Sequence, residues 1–199
     1  MIAIADYGMG NLHSVSRALA HVGGQVEVTS DPETALRADS LVVPGVGAFG
    51  ACMRGLTEAG FDTVVRRFVQ DERPVLGVCI GLQVLFEGSE ENPDVPGLGV
   101  LPGLVRTLPD DQKLPHMGWN EVHWTRPHPF AAAVPDGTRM YFVHSYAADP
   151  GEETVGITEY GRSFAAAVSR GSLFATQFHP EKSGEPGLAI YDAFVKEAA

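Results

Sequence analysis

The segment Gly77-Val78-Cys79-Ile80-Gly81-Leu82-Gln83 carries the strongest chemical signal in the chain. An apolar run leads into Cys79 and helical patterning leads out of it, the strand–turn–helix setting of a nucleophile elbow. Gly77 and Gly81 stand where so sharp a turn leaves little room for side chains. Such a turn projects the thiol at the carboxyl edge of a sheet, beside a helix N-terminus whose partial positive charge favours thiolate. The same residues also read as a buried structural cysteine, the commoner fate of a thiol in an apolar strand. A thiol nucleophile requires a base. Of the seven histidines, His179 stands out, at the end of an apolar run in Thr176-Gln177-Phe178-His179-Pro180-Glu181. The residue before a proline is held extended, and in an extended chain residues two apart share a side. Glu181 can therefore lie beside His179 and fix its tautomer, the orienting role in a triad. The plainer reading is a surface histidine with a chance acidic neighbour. Acyl transfer also needs donors for an oxyanion. The amide of Ile80, directly after the nucleophile, is one. Pro44-Gly45-Val46-Gly47 is either a sharp turn or a second source, at Val46 and Gly47, because its glycines let backbone amides turn toward the thiol. Cys52 has no comparable setting and reads as a buried side chain.

These residues come from three separated segments, so the fold must bring them to one edge. Apolar runs at 2–6, 25–29, 41–43 and 74–78 alternate with helical patterning at 12–22, 48–56, 61–70 and 80–87. Asn11 is placed to cap the first helix, and Gly23-Gly24 to end it. Asp31-Pro32 reads as an N-cap followed by proline at the first helical position. The alternation predicts an α/β fold with a mainly parallel central sheet flanked by helices on both faces. After Pro96 the pattern changes. Residues 99–108, 118–125, 140–147, 154–158, 163–169 and 173–177 read as strands joined by turns, an additional mostly antiparallel β portion. Residues 185–197 close the chain as a helix. No repeat, low-complexity tract or linker interrupts it, so residues 1–199 are expected to form a single domain. The acidic stretch 87–94 reads as a solvated loop.

With 44% hydrophobic and 20% charged residues the chain is an ordinary globular sequence, long enough for a sizeable core. Its formal net charge of −11 repels phosphate backbones, so nucleic acid is not expected as a partner. Two cysteines, Cys52 and Cys79, make neither a disulfide framework nor a zinc cluster. Gly8-Met9-Gly10 is too short for a dinucleotide fingerprint, and nothing suggests a metal or flavin site, so no cofactor is expected. The opening residues lack a basic region followed by an apolar run, and no stretch is long enough to span a bilayer. A cytoplasmic setting with no membrane partner is the expectation.

Together these segments resemble the class I (triad) glutamine amidotransferases. GVCIGLQ (77–83) and FHPE (178–181) match that superfamily's two signatures in order and separation. DYGMGN (6–11), PGVGAFG (44–50), GVCIGLQVLFEGSEE (77–91), LPHMGWNEV (114–122), YFVHSY (141–146) and QFHPEKS (177–183) are similar, more specifically, to the glutaminase subunits of imidazole glycerol phosphate synthase in histidine biosynthesis. The resemblance runs from Asp6 to Ser183, and PHMGWN is its most discriminating segment. It implies that glutamine is hydrolysed to glutamate and ammonia through a γ-glutamyl thioester on Cys79. Ammonia would then pass through a tunnel to a (β/α)8-barrel cyclase subunit, which forms imidazole glycerol phosphate and an aminoimidazole carboxamide ribotide. Matching positions imply substrate contacts from Gly47, Gln83, Glu91, Ser145 and Tyr146, which displaces the solvated reading for Glu91. They imply partner contacts from Asn11, Trp119, Asn120 and Lys182. On their own, Trp119 also reads as a core residue at a strand end, and Lys182 as a solvated lysine beside Glu181. Two alternatives remain: a triad glutaminase serving pyridoxal phosphate, anthranilate or guanylate synthesis, against which DYGMGN and PHMGWN speak, and a stand-alone γ-glutamyl hydrolase without a partner.

Overall fold

The computed structural model describes residues 1–198. The first half alternates strand and helix: β1 (Ile2–Ala5), α1 (Leu12–His21), β2 (Val26–Thr29), α2 (Pro32–Leu36) and β3 (Ser40–Gly45). Then come α3 (Phe49–Glu58), α4 (Phe61–Gln70), β4 (Val75–Cys79) and the short α5 (Ile80–Gln83). The second half holds β5 (Gly88–Ser89), β6 (Leu104–Thr107), β7 (His116–Trp124), α6 (Pro129–Ala133), β8 (Thr138–His144) and β9 (Tyr146–Ala148). It ends with β10 (Thr154–Tyr160), β11 (Arg162–Arg170), β12 (Leu173–Thr176), a 3-10 turn at Pro180–Lys182, and α7 (Gly184–Glu197).

Nine strands form one sheet in the order β2-β1-β3-β4-β12-β11-β10-β7-β8. Pairing is parallel from β2 to β12 and antiparallel from there to β8. The antiparallel strands thus continue the central sheet, and a second sheet of three strands, β5-β6-β9, sits apart from it. Every residue of β1, β3, β4 and β12 is buried, because helices cover both faces there. On one side α1 packs on α7, which also meets α6; elsewhere α2 and α3 pack on α4. β8 instead alternates buried and partly exposed residues, the pattern of a sheet with one open face. Among the described residues no helix is long and apolar enough to cross a membrane.

Several local readings are corrected. β3 does not stop before Pro44-Gly45 but runs through them, pairing Pro44 with Val78 and Gly45 with Cys79. The helix after Cys79 ends at Gln83 and not near residue 87. Its continuation is lost because the carbonyls of Val84, Leu85 and Glu87 accept from the N–H groups of Leu98, Leu101 and Gly97. Those contacts also make 97–103 irregular, so the expected strand 99–108 shrinks to Leu104–Thr107. The run 140–147 is two strands parted at Ser145, whose carbonyl accepts from Leu108 N–H at the edge of the small sheet. Asp31 caps α2 as expected, accepting from the N–H groups of Glu33 and Thr34. Asn11 makes no such side-chain bond to α1. Its amide reaches across the fold to Glu181 instead.

Candidate active site

Cys79 is the last residue of β4, with φ 57° and ψ −109°. A non-glycine residue held there stores about 1–3 kcal/mol of backbone strain, which the surrounding packing must supply. That packing depends on Gly81. A Cβ at position 81 would lie 1.9 Å from the carbonyl oxygen of Val43, so only glycine lets α5 sit this close to β3. The thiol is buried, with Gln177 Nε2 donating toward its sulfur at 3.8 Å.

β12 lies beside β4 in parallel register and delivers His179 just beyond its end. The N–H of His179 is held by the carbonyl of Tyr141, and its own carbonyl by the hydroxyl of Ser183. Nδ1–H donates to Glu181 Oε1 at 2.8 Å, with the two side chains only 2% and 1% exposed. Two more donors reach the carboxylate: Asn11 Nδ2 to Oε1 at 3.4 Å and the Tyr191 hydroxyl to Oε2 at 3.3 Å. For His179, burial alone would push the pKa down. The nearness of Cys79 and the hydrogen bond to Glu181, with their negative charge, outweigh it and hold the imidazole up to about 9. For Glu181, burial raises the pKa, but the bond to His179 and its charge hold the carboxyl below its ordinary value. Nε2 of His179 closes no hydrogen bond of normal geometry, although the thiol is near enough to raise the ring's pKa.

The Val46-Gly47 segment follows β3 and faces the same space. Tyr7 Oη donates to the carbonyl of Pro44, and Cys52 Sγ donates to that of Val46 at 3.4 Å. A trans peptide points its N–H opposite to its carbonyl, so the Gly47 N–H points away from Cys52. Gly47 adopts φ +88°, a conformation that glycine takes without strain. Burial pushes the Cys52 thiol up to about 11, so it stays a neutral donor.

A cavity of about 400 Å³ joins these parts. Val46, Gly47, Cys79, Ile80, Gln83 and Glu91 line it together with His179, Lys182, Ser145 and Tyr146. Glu181 stands behind His179. Nδ1 of the ring is occupied by the carboxylate, so Nε2 is the nitrogen left for a proton from the thiol. Gln83 Nε2 donates to the carbonyl of Tyr146 at 2.9 Å and to Gln177 Oε1 at 3.0 Å, while Gln83 Oε1 is buried without a partner. Glu91 also anchors the start of α3, where its Oε2 accepts from Phe49 N–H at 2.8 Å.

Of the candidates assigned to the partner, Lys182 lines the cavity, whereas Asn11, Trp119 and Asn120 do not. Trp119 is 55% exposed, not a core residue, and makes a T-shaped contact with Tyr141 at 6.0 Å between ring centroids. Met117, 62% exposed, stands two residues away on the same strand. Asn120 has its amide fully engaged: Nδ2 bonds Glu159 O and His116 Nε2, and Oδ1 accepts from Glu121 N–H. Lys182 is exposed and its ammonium lies 5.8 Å from the Tyr141 ring centroid; among the described residues it forms no ion pair. Sequence reasoning missed Gln177 and Tyr191. Gln177 was within reach, since it lies two residues before His179 and the same period-two argument applies. Tyr191 lies in α7 and gives no local signal.

The family model for glutamine amidotransferase class-I matches residues 3–198. A protein of Acinetobacter baylyi is 49% identical over 98% of this chain and 97% of its own length, and one of Moorella thermoacetica is 50% identical over 97% and 93%. A Pseudomonas putida relative is 50% identical over 98% and 96%. All three are named imidazole glycerol phosphate synthase subunit HisH. Among solved structures, a glutamine amidotransferase matches with a TM-score of 0.77 at 21% identity, covering 99% of this chain and 98% of its own. The glutaminase domain of Trypanosoma brucei CTPS, solved with bound acivicin, matches at 0.71 and 20%, covering 99% and 92%. These last two likenesses concern the fold. A full-length family match and half-identical relatives covered end to end decide membership: the chain belongs to the class-I glutamine amidotransferases and, among them, to the family of imidazole glycerol phosphate synthase subunit HisH.

Proposed function

We propose that this chain is a glutaminase subunit that hydrolyses glutamine on Cys79 and passes ammonia to a cyclase subunit making imidazole glycerol phosphate. The observation that carries the chemistry is the strained Cys79 at the end of β4, sharing one cavity with a His179 that is oriented by the buried Glu181. His179 takes the thiol proton on Nε2 and, its pKa held up to about 9, keeps it as imidazolium while the sulfur attacks the glutamine carboxamide. The protonated ring then gives that proton to the leaving nitrogen as ammonia departs, and a water activated by the same ring cleaves the thioester. Glu181 stays ionised and supports the imidazolium. The amides of Ile80 and of the Val46–Gly47 segment supply the oxyanion donors. Gln83, Glu91, Ser145 and Tyr146 hold the amino-acid end of the substrate.

Met117 and Trp119 give β7 an exposed apolar strip, and Lys182 lies close enough to Tyr141 to share that face. An aromatic residue surrounded by few charges suits the core of an interface. We assign this face, together with Asn11, to the (β/α)8-barrel cyclase, and the chain acts as one amidotransferase domain. Ammonia is useful only unprotonated, so a closed junction that keeps water out favours transfer over escape. Substituting Cys79→Ala in the reconstituted complex tests the reading. Glutamine-dependent synthesis should vanish while synthesis from added ammonium salts persists. Residual glutamine hydrolysis at the parent rate would reject Cys79 as nucleophile.

A further inference from the structure

Two buried histidines, His116 and His144, take no part in the chemistry above. His116 Nδ1 and His144 Nε2 are 3.0 Å apart, so one carries a hydrogen and the other a lone pair. Fixed groups at both ends decide which. His144 Nδ1 lies 2.9 Å from the carbonyl of Tyr146, which can only accept, so Nδ1 carries the hydrogen. In a neutral ring Nε2 is then bare, and His116 Nδ1–H must donate to it. His116 Nε2 is bare in turn and accepts from Asn120 Nδ2 at 3.2 Å. The Asn120 amide is oriented independently, because its Nδ2 also donates to Glu159 O at 2.9 Å and its Oδ1 accepts from Glu121 N–H at 2.8 Å. The whole run therefore has one direction, from β7 inward. Both rings are neutral: burial pushes His116 down to about 4 and His144 down to about 3.

The inner end of this run is the cavity. The Tyr146 carbonyl takes its second hydrogen from Gln83 Nε2, whose other hydrogen goes to Gln177 Oε1, and Gln177 reaches the sulfur of Cys79. Both lone pairs of that carbonyl are thus used. The outer ring cannot slide, since His116 is stacked on Tyr160 at 4.1 Å and on Phe142 at 5.0 Å between centroids.

We propose that His116 and His144 are positioning residues for the glutamine pocket: each holds the other as the Nδ1–H tautomer, which fixes the carbonyl of Tyr146 and, through it, the amide of Gln83. The inference rests on the reading that this cavity binds glutamine. Without His116, Nε2 of His144 is left buried without a donor and the ring is tied only through Nδ1. It is then free to tilt, which loosens the Tyr146 carbonyl and shifts the pocket wall.

His116→Phe keeps the stacking and deletes both ring nitrogens. In the complex with the cyclase it should raise KM for glutamine about tenfold, the loss expected for one buried hydrogen bond, and change kcat less than about twofold. His144→Asn places an amide donor where Nδ1 stood and needs no tautomer. It should keep KM near the parent, and His116→Phe in that background should then add nothing to KM. His144→Leu should match His116→Phe. An unchanged KM in His116→Phe, or no rescue by His144→Asn, overturns the proposal, whereas a parent complex that fails to turn over glutamine overturns the reading beneath it. Nitrogen-15 spectra of the histidine-labelled parent at pH 7 give a readout free of folding defects. Both rings should be protonated on Nδ1 and bare on Nε2, and the Nε2–H form at either ring overturns the tautomer lock.

Discussion

Replacing Glu181 by glutamine removes one charge and leaves the shape of the side chain, which isolates what the carboxylate does for His179. The substituted amide has two orientations, and the neighbours choose between them. Asn11 Nδ2 and His179 Nδ1–H both donate to the Oε1 position, so the carbonyl belongs there. The amide nitrogen then meets the Tyr191 hydroxyl at the Oε2 position, and a hydroxyl can turn from donor to acceptor. The ring therefore keeps its orientation and tautomer, and only the charge is lost. A hydrogen bond to a charged group contributes about 1.5–3 kcal/mol against about 0.5–1.5 for a neutral one. The difference, about 1–2 kcal/mol, is about 5–30-fold in the stability of the imidazolium formed during thiol attack. Glutamate release by the complex under steady-state conditions should show kcat/KM down by about that factor, against about 10⁴-fold or more for His179→Ala. A loss in Glu181→Gln as deep as in His179→Ala would refute the orienting role, and so would no loss at all. Stability gives a second check. The depressed carboxyl adds stability above its ordinary value near 4.5 and loses it as pH falls through the folded value. The raised imidazole adds stability below its ordinary 6.5 and loses it as pH rises through about 9. The gap between parent and variant should be widest between about pH 4.5 and 6.5 and should close as pH approaches about 9.

Trp119→Ala should weaken cyclase binding by about 2 kcal/mol, roughly 30-fold in Kd, as for a central aromatic anchor. An exposed side chain contributes little to the fold, so the melting temperature should move by no more than about 2 °C; a larger fall would mean that Trp119 stabilises the chain itself. Lys182→Ala should leave the complex intact yet let ammonia escape, so glutamate formed per imidazole glycerol phosphate rises above one or stimulation by the cyclase's ligand is blunted. Both products measured in one reaction decide it, and unchanged ratio and stimulation would remove Lys182 from the coupling. Gly81→Ala drives a methyl into the carbonyl of Val43 and should cost about 3 kcal/mol, lowering the melting temperature by about 6–12 °C. A thermal melt identical to the parent's would contradict the close packing of α5 on β3.

The sequence alone determined whatever is written in near neighbours. An apolar run ending in Cys79 between two glycines reads as a strand entering a sharp turn, so the elbow and its thiol were legible. Glu181 was expected beside His179 from an extended, period-two chain; the two do meet, but across a 3-10 turn at Pro180–Lys182. The motif set reached further than periodicity, naming the family and the residues that line the cavity. Tertiary structure decided the partners that lie far apart along the chain. Asn11 looks like a helix cap by local rule, yet its amide bonds Glu181, 170 positions away, because β1 and β12 end at the same edge of the sheet. His116 and His144, 28 residues apart, become one hydrogen-bonded unit only because β7 and β8 pair with those two residues opposite each other. The break at Ser145 followed from competition between two sheets for one stretch of strand-forming sequence. Propensity and spacing fix what a residue does to its own backbone; the order of strands in the sheet fixes which distant side chain it meets, and no local pattern encodes that order.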